Sequence, residues 1–86
     1  MDYSLIKPDI LESITDYADN RVPPGDFLRA VLENDLRESF QRADEDNIES
    51  MFDIVQFIYN EIPARCWGSP EKVRDWLGEG RIDGQR

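Results

Sequence analysis

Apolar residues recur at helical spacing along most of the chain, and this pattern predicts an all-α fold. The first predicted helix runs from Pro8 to Asn20, and a proline suits its first position. Its apolar face consists of Ile10, Leu11, Ile14, Tyr17 and Ala18. The stretch 22–25, with two prolines and a glycine, ends this helix in a tight turn.

The second predicted helix runs from Asp26 to Ala43. Its apolar face consists of Leu28, Leu32, Leu36, Phe40 and Ala43. Asp35 lies at the edge of that face, where a carboxylate needs a partner such as an arginine or a helix N-terminus. We therefore expect Asp35 to have a structural role.

The third predicted helix runs from Asn47 to Glu61 and is stopped by Pro63. Its apolar residues cover an arc of about 160° at 100° per residue. They are Ile48, Met51, Phe52, Ile54, Val55, Ile58, Tyr59 and Ile62. Such a wide arc predicts a central helix, packed by other helices on two sides.

A short fourth helix is predicted from Pro70 to Leu77, with Ser69 as its N-cap and Gly78 just beyond its end. The expected architecture is one domain over residues 1–77, built from three main helices and this short one. We expect residues 78–86, which contain three glycines and no apolar pattern, to form a flexible tail.

Composition narrows the classes of function. The 86 residues include one cysteine and no histidine, and the lack of histidine disfavours an enzyme. The net charge of −9 disfavours direct binding of nucleic acid. No metal or cofactor is expected. The chain has no apolar run long enough to span a membrane, and its first residues do not resemble a secretory signal, so a cytoplasmic protein is expected.

The segment around Cys66 is the first candidate site. Ser69 begins a helix whose free N–H groups attract anions, and Arg65 and Lys72 add positive charge beside it. Trp67 could stack on a base. The alternative is structural, because Ser69 then caps its own helix and the tryptophan anchors that helix to the core.

An acidic row on the first helix is the second candidate. Asp9, Glu12, Asp16 and Asp19 share one face and span about 15 Å, so they could imitate a phosphate backbone. The alternative is a solvated face that keeps the protein in solution.

Phe57 is the third candidate. It lies opposite the apolar arc and is either exposed for a partner or covered by the fourth helix and the 63–69 loop.

Several motifs resemble those of small proteins encoded by phages, prophages and plasmids. They are Pro23–Leu36 (PPGDFLRAVLENDL), Arg42–Asp44, Tyr59–Pro63 and Cys66–Val73 (CWGSPEKV). The resemblance implies a mobile-element context and, by analogy, antagonism or regulation of a host system.

Two hypotheses of function follow. The leading one is a binding protein that docks on a host protein, such as a defence factor, through Asp9, Glu12, Asp16, Asp19 and Phe57. The alternative is a protein that sequesters an anionic nucleotide through Arg65, Trp67, Ser69 and Lys72, as a homo-oligomer.

Overall fold

The computed structural model describes residues 3–78, and this part of the chain is all-helical, without a strand. The all-α fold is therefore confirmed. The helices are α1 Pro8–Asn20, α2 Asp26–Leu32, α3 Leu36–Arg42, α4 Glu45–Glu49, α5 Met51–Glu61 and α6 Pro70–Leu77, and a 3₁₀ turn spans Ala64–Cys66. None of these helices has the length and apolar character needed to cross a membrane. Residues 79–86 of the predicted tail lie outside the described range.

The first and last helices have the predicted bounds, because strong local signals fix them. The Lys72 amide donates to the Ser69 hydroxyl at 3.2 Å, and Pro70 follows that cap. At the other end, Gly78 adopts the left-handed conformation at φ 80°. These contacts confirm the predicted cap and the predicted glycine stop of α6.

The single helix predicted over residues 26–43 is wrong, because the chain breaks it into α2 and α3. Asn34 takes a left-handed φ of 65°, and its amide donates to the carbonyl of Val31. The Asp35 amide donates to the carbonyl of Ala30, which completes a Schellman-type end of α2. The Asp35 carboxylate then accepts from the Glu38 amide at 3.1 Å, so it has a helix N-terminus as its partner.

The break turns α3 away from the direction that a continuous helix would have given it. Leu36 is 73% exposed and Phe40 is 42% exposed, so beyond Leu32 only Ala43 of the predicted apolar face packs against the core. On α3, Arg42 pairs with Glu38 at 2.8 Å and with Asp26 of α2 at 3.3 Å. These contacts hold α3 beside the start of α2.

The predicted third helix consists of α4 and α5, separated by Ser50 alone. The Ser50 amide donates to the Asp46 carbonyl and ends the ladder of α4, and the Ile54 amide donates to the Ser50 carbonyl and begins that of α5. Asp44 caps α4 by accepting from the Asn47 amide at 2.8 Å, so this helix begins two residues earlier than predicted. The predicted helix is therefore broken at Ser50, whose φ of −97° and ψ of 9° are not helical.

The core lies on one side of α4 and α5. Its most buried members are Ile6, Ile14, Tyr17, Leu28, Leu32, Ile54, Ile58, Cys66 and Val73. Half of the predicted arc is not part of the core, since Ile48, Phe52, Val55 and Tyr59 are exposed. Packing of this helix on two sides is therefore wrong, and the predicted arrangement of three main helices is not confirmed.

Buried hydrogen bonds join the C-terminal segment to the rest of the domain. The Tyr17 hydroxyl donates to the Cys66 carbonyl at 2.6 Å, and the Trp76 indole N–H donates to the Tyr17 carbonyl at 2.8 Å. The Gly68 amide donates to the Leu32 carbonyl at 2.7 Å. These bonds connect α1, α2, the 3₁₀ turn and α6.

Candidate functional site

An exposed apolar stripe runs along α4 and α5. Its members recur at spacings of four, three and four residues; one lies in α4, and the other three share one side of α5 over about 10 Å. They are Ile48 (47% exposed), Phe52 (68%), Val55 (39%) and Tyr59 (69%). At its C-terminal end the Tyr59 ring meets the Trp67 ring edge-to-face at 6.3 Å. We call the four residues the apolar stripe.

A row of carboxylates lies beside the apolar stripe. Glu45 and Glu49 are one turn, about 6 Å, apart in α4, and Asp53 lies in the first turn of α5; within each helix their angles border those of the stripe on the side away from the core. Glu45 and Glu49 are exposed, and Asp53 is half-buried. Within residues 3–78, none of the three forms an ion pair. We call them the acidic flank.

The acidic row predicted on α1 lies at the surface. Asp9, Glu12 and Asp19 are exposed, and Asp16 is half-buried. Lys7, just before α1, contacts Asp44 at 3.1 Å. This bond, together with the charges of Asp44, Asp46 and Asp9, raises the pKa of Lys7 above its usual range. The starts of α1 and α4 therefore adjoin, and carboxylates from both helices surround one ammonium group.

Phe57 is half-buried, so neither of its two predicted environments describes it fully. Its ring packs edge-to-face on Tyr3, with the ring centroids 4.9 Å apart. The Tyr3 hydroxyl donates to Glu61 at 3.3 Å and accepts from Asn60 at 3.2 Å. The N-terminal segment thus covers one side of Phe57, and the other side lines a groove.

That groove has a volume of about 590 Å³ and lies between α1, the end of α5 and α6. It brings together residues of both hypotheses, because Asp19, Phe57 and Arg65 all line it. Two guanidiniums approach the Trp76 ring there: Arg21 lies 4.1 Å from the ring centroid, and Arg65 lies 5.5 Å from it. In the described part of the chain, neither arginine pairs with a carboxylate.

The other three residues of the predicted anion site have different neighbours. The Ser69 hydroxyl is occupied by the Lys72 amide, and the Lys72 ammonium donates to the Ala64 carbonyl at 3.3 Å. Trp67 is half-buried against Tyr59, and its indole N–H is buried with no partner among the described residues. Arg65 therefore lies over Trp76, whereas the remaining three take part in local structural contacts.

Cys66 is fully buried. Burial raises the pKa of its thiol, and this effect outweighs the lowering caused by the positive charges of Arg65 and Arg21. The thiol therefore stays protonated at neutral pH and lies out of reach of solvent. The backbone carbonyl of Cys66 accepts a hydrogen bond from the Tyr17 hydroxyl, and this bond stabilises the 3₁₀ turn.

Sequence reasoning missed Arg21, Trp76 and the exposure of the apolar stripe as features of a site. Arg21 and Trp76 are distant in sequence and meet only through the packing of α6 on α1. The stripe did leave a signal, because an apolar arc of about 160° exceeds what one buried face requires.

Comparison with known proteins adds no relative: no family model, no curated protein and no solved structure matches this chain.

Proposed function

We propose that the chain is a protein-binding module that docks on a partner protein through the apolar stripe and its acidic flank. The observation that carries this proposal is the exposure of Ile48, Phe52, Val55 and Tyr59 in one continuous row. Single exposed apolar residues are ordinary on protein surfaces, whereas a row that includes two aromatic rings is typical of a contact surface.

Energetics favour the same role. Each exposed apolar side chain gains free energy when a partner removes it from water, at about 25 cal/mol per Å². Aromatic residues near the centre of an interface contribute most of the binding energy. Phe52 lies between Ile48 and Val55, so its ring is the expected anchor of the contact.

The identity of the partner rests on the sequence resemblance. Proteins of phages and plasmids act inside a host cell, and we propose a host protein, such as a defence or regulatory factor, that the chain inhibits or modulates. The α1 acids remain part of this proposal. Since Asp9 adjoins the start of α4 around Lys7, an approaching partner meets negative charge on both helices.

Comparative capture tests the proposal. The chain, Phe52→Ser and Leu5→Ser are used as baits in a bacterial lysate, and each captured protein is then titrated against all three. Leu5 is a matched control because its exposed fraction, 68%, equals that of Phe52. We expect Phe52→Ser alone to weaken binding, by about 2 kcal/mol for a central anchor. Equal binding by the two variants would overturn the proposal.

A second candidate function is binding of an anionic ligand in the groove beside Trp76. The pair of guanidiniums at Arg21 and Arg65, without carboxylate partners in the described part of the chain, favours it. Two arginines can share one phosphate or carboxylate group. The groove also contains Asp19 and Glu61, so the ligand must place its negative charge near the arginines.

Thermal unfolding with a panel of nucleotides tests this second candidate. A ligand at 100 times its dissociation constant stabilises the fold by about 2.7 kcal/mol. The shift should be lost in Arg21→Ala and Arg65→Ala. It should persist in Arg74→Ala, which removes an exposed arginine outside the groove. A panel without any shift, or an equal loss in Arg74→Ala, would contradict it.

A further inference from the structure

The charge around the apolar stripe indicates what kind of surface can cover it. Between Arg42 and Arg65 the sequence contains six carboxylates and no lysine or arginine. The acidic flank lies along only one edge of the stripe, because the core borders the other edge. A partner that covers the stripe therefore meets carboxylates along one side and apolar side chains along the other.

From this arrangement we propose that the occupant is an amphipathic helix of another protein, apolar along one face and lined with lysine or arginine along one edge. This inference rests on the proposed docking function. A row of bases along one edge of a helix would face Glu45 and Glu49 of α4 and Asp53 of α5. Helix-in-groove recognition uses apolar anchors at the spacing that the stripe presents.

The position of the charges also orients the partner. The acids of the flank lie in α4 and the first turn of α5, and the later positions on the same side are the neutral amides Gln56 and Asn60. The basic residues of the partner should therefore cluster over the α4 end. Its uncharged, apolar end should lie near Tyr59 and Trp67.

A second copy of the chain fits the same face poorly. Residues 43–64 contain no base, and Lys7, which lies beside the start of α4, already pairs with Asp44, so a second copy brings mainly carboxylates to this face. Arg65, the next base along the chain, lies over Trp76 in the groove. Like charges brought together at an interface oppose association.

Three synthetic helical peptides test the inference by fluorescence anisotropy against the full chain. All carry leucines at the spacing of the stripe. The first has a row of lysines beside them, the second has glutamates in place of the lysines, and the third keeps the lysines and has serines in place of the leucines. We expect only the lysine–leucine peptide to bind, with an affinity that falls as salt rises.

Variants of the chain locate the contact. Phe52→Ser should weaken binding of the lysine–leucine peptide about tenfold or more, and Leu5→Ser should leave it unchanged. Glu49→Lys should weaken binding and flatten its salt dependence. Asp75→Lys, which changes the net charge equally at an exposed position of α6, should have a much smaller effect. A greater loss in Asp75→Lys than in Glu49→Lys would overturn the assignment of the bases to the acidic flank.

The remaining outcomes separate this inference from the docking proposal. If the glutamate–leucine peptide binds as well as the lysine–leucine peptide and Phe52→Ser weakens both, docking stands and the basic partner is wrong. If the chain is a dimer by light scattering and Phe52→Ser makes it a monomer, the occupant is a second copy and the inference is overturned. If no peptide binds and Phe52→Ser changes nothing in the capture experiment either, both proposals fail.

Discussion

Tyr17 shows how much of the C-terminal arrangement depends on one side chain. Its ring is fully buried in α1, its hydroxyl donates to the carbonyl of Cys66, and its own carbonyl accepts the indole N–H of Trp76. The sequence predicted the burial of Tyr17 from its place on the apolar face of α1. It could not predict either hydrogen bond, because the partners lie 49 and 59 residues away.

Removing the Tyr17 hydroxyl should therefore destabilise the protein. We expect Tyr17→Phe to lower the free energy of unfolding by about 1–3 kcal/mol, since the buried Cys66 carbonyl loses its donor. Tyr59→Phe makes the same chemical change at a side chain that is 69% exposed, and should stay within about 0.5 kcal/mol. Urea unfolding of both variants measures the contrast. Equal effects would show that this hydrogen bond is not important for stability.

Asp44 links the start of α4 to α1, and this link should depend on pH. Hydrogen bonds from the Asn47 amide and the Lys7 ammonium hold the pKa of Asp44 below its ordinary value of 3.8, and the bond from Asn47 has the larger effect. A carboxyl whose pKa is lower in the folded state stabilises the fold above its unfolded pKa. That stabilisation is lost as the pH falls through the folded value.

Asp44→Asn tests this dependence, because asparagine keeps the cap and removes the charge. We expect the melting temperature of Asp44→Asn to lie below that of the unchanged chain at neutral pH. The difference should shrink below about pH 4. In a Lys7→Met background the neutral-pH difference should be smaller, since one partner of the carboxylate is absent. A difference that stays constant down to acidic pH would contradict this description.

At the scale of elements, sequence reasoning succeeded where helix ends carry strong local signals. Proline at position 8, the Ser69–Pro70 start and Gly78 fixed the bounds of α1 and α6. It failed at residues 33–35, where a continuous apolar spacing outweighed a weaker signal. Asparagine tolerates the left-handed conformation, and an aspartate followed three residues later by glutamate is typical of a helix start.

Substitutions at Asn34 distinguish the broken helix from a continuous one. In the broken form, Asn34→Ala should destabilise the protein by about 1 kcal/mol, because alanine at a φ of 65° is strained, and Asn34→Gly should be neutral or stabilising. A continuous helix would reverse this order, since alanine is the better helix former. Thermal unfolding of the two variants decides the sign. A more stable alanine variant would contradict the break.

The width of the apolar arc was a signal of the apolar stripe, but the sequence of α4 and α5 alone could not predict that the stripe is exposed. An apolar arc identifies the side chains that avoid water, but it does not indicate whether this chain or another one covers them. Here the chain covers Met51, Ile54 and Ile58 and leaves Phe52 and Tyr59 exposed. The missing cover is a property of the whole fold, because the break after α2 directs Leu36 and Phe40 of α3 to solvent as well.

At the scale of the whole molecule, charge and apolar surface are arranged together. The net charge of −9 is concentrated in the first three quarters of the chain, and the acidic flank lies against the apolar stripe. Under the docking proposal, this surface selects a partner that is both apolar and basic, and its negative charge repels nucleic acid. The groove beside Trp76 is lined by Arg21 and Arg65, so the two candidate sites make different demands on a ligand.

Photo-crosslinking from position 52 tests the central claim most directly. We would place p-benzoylphenylalanine at position 52 and, as the control, at position 5, which has the same exposure. After irradiation in cells, adducts are identified by mass spectrometry. The docking proposal predicts an adduct with one other protein from position 52, through a basic amphipathic helix of that protein, and none from position 5. Equal adducts from both positions, or no adduct from position 52, would contradict it.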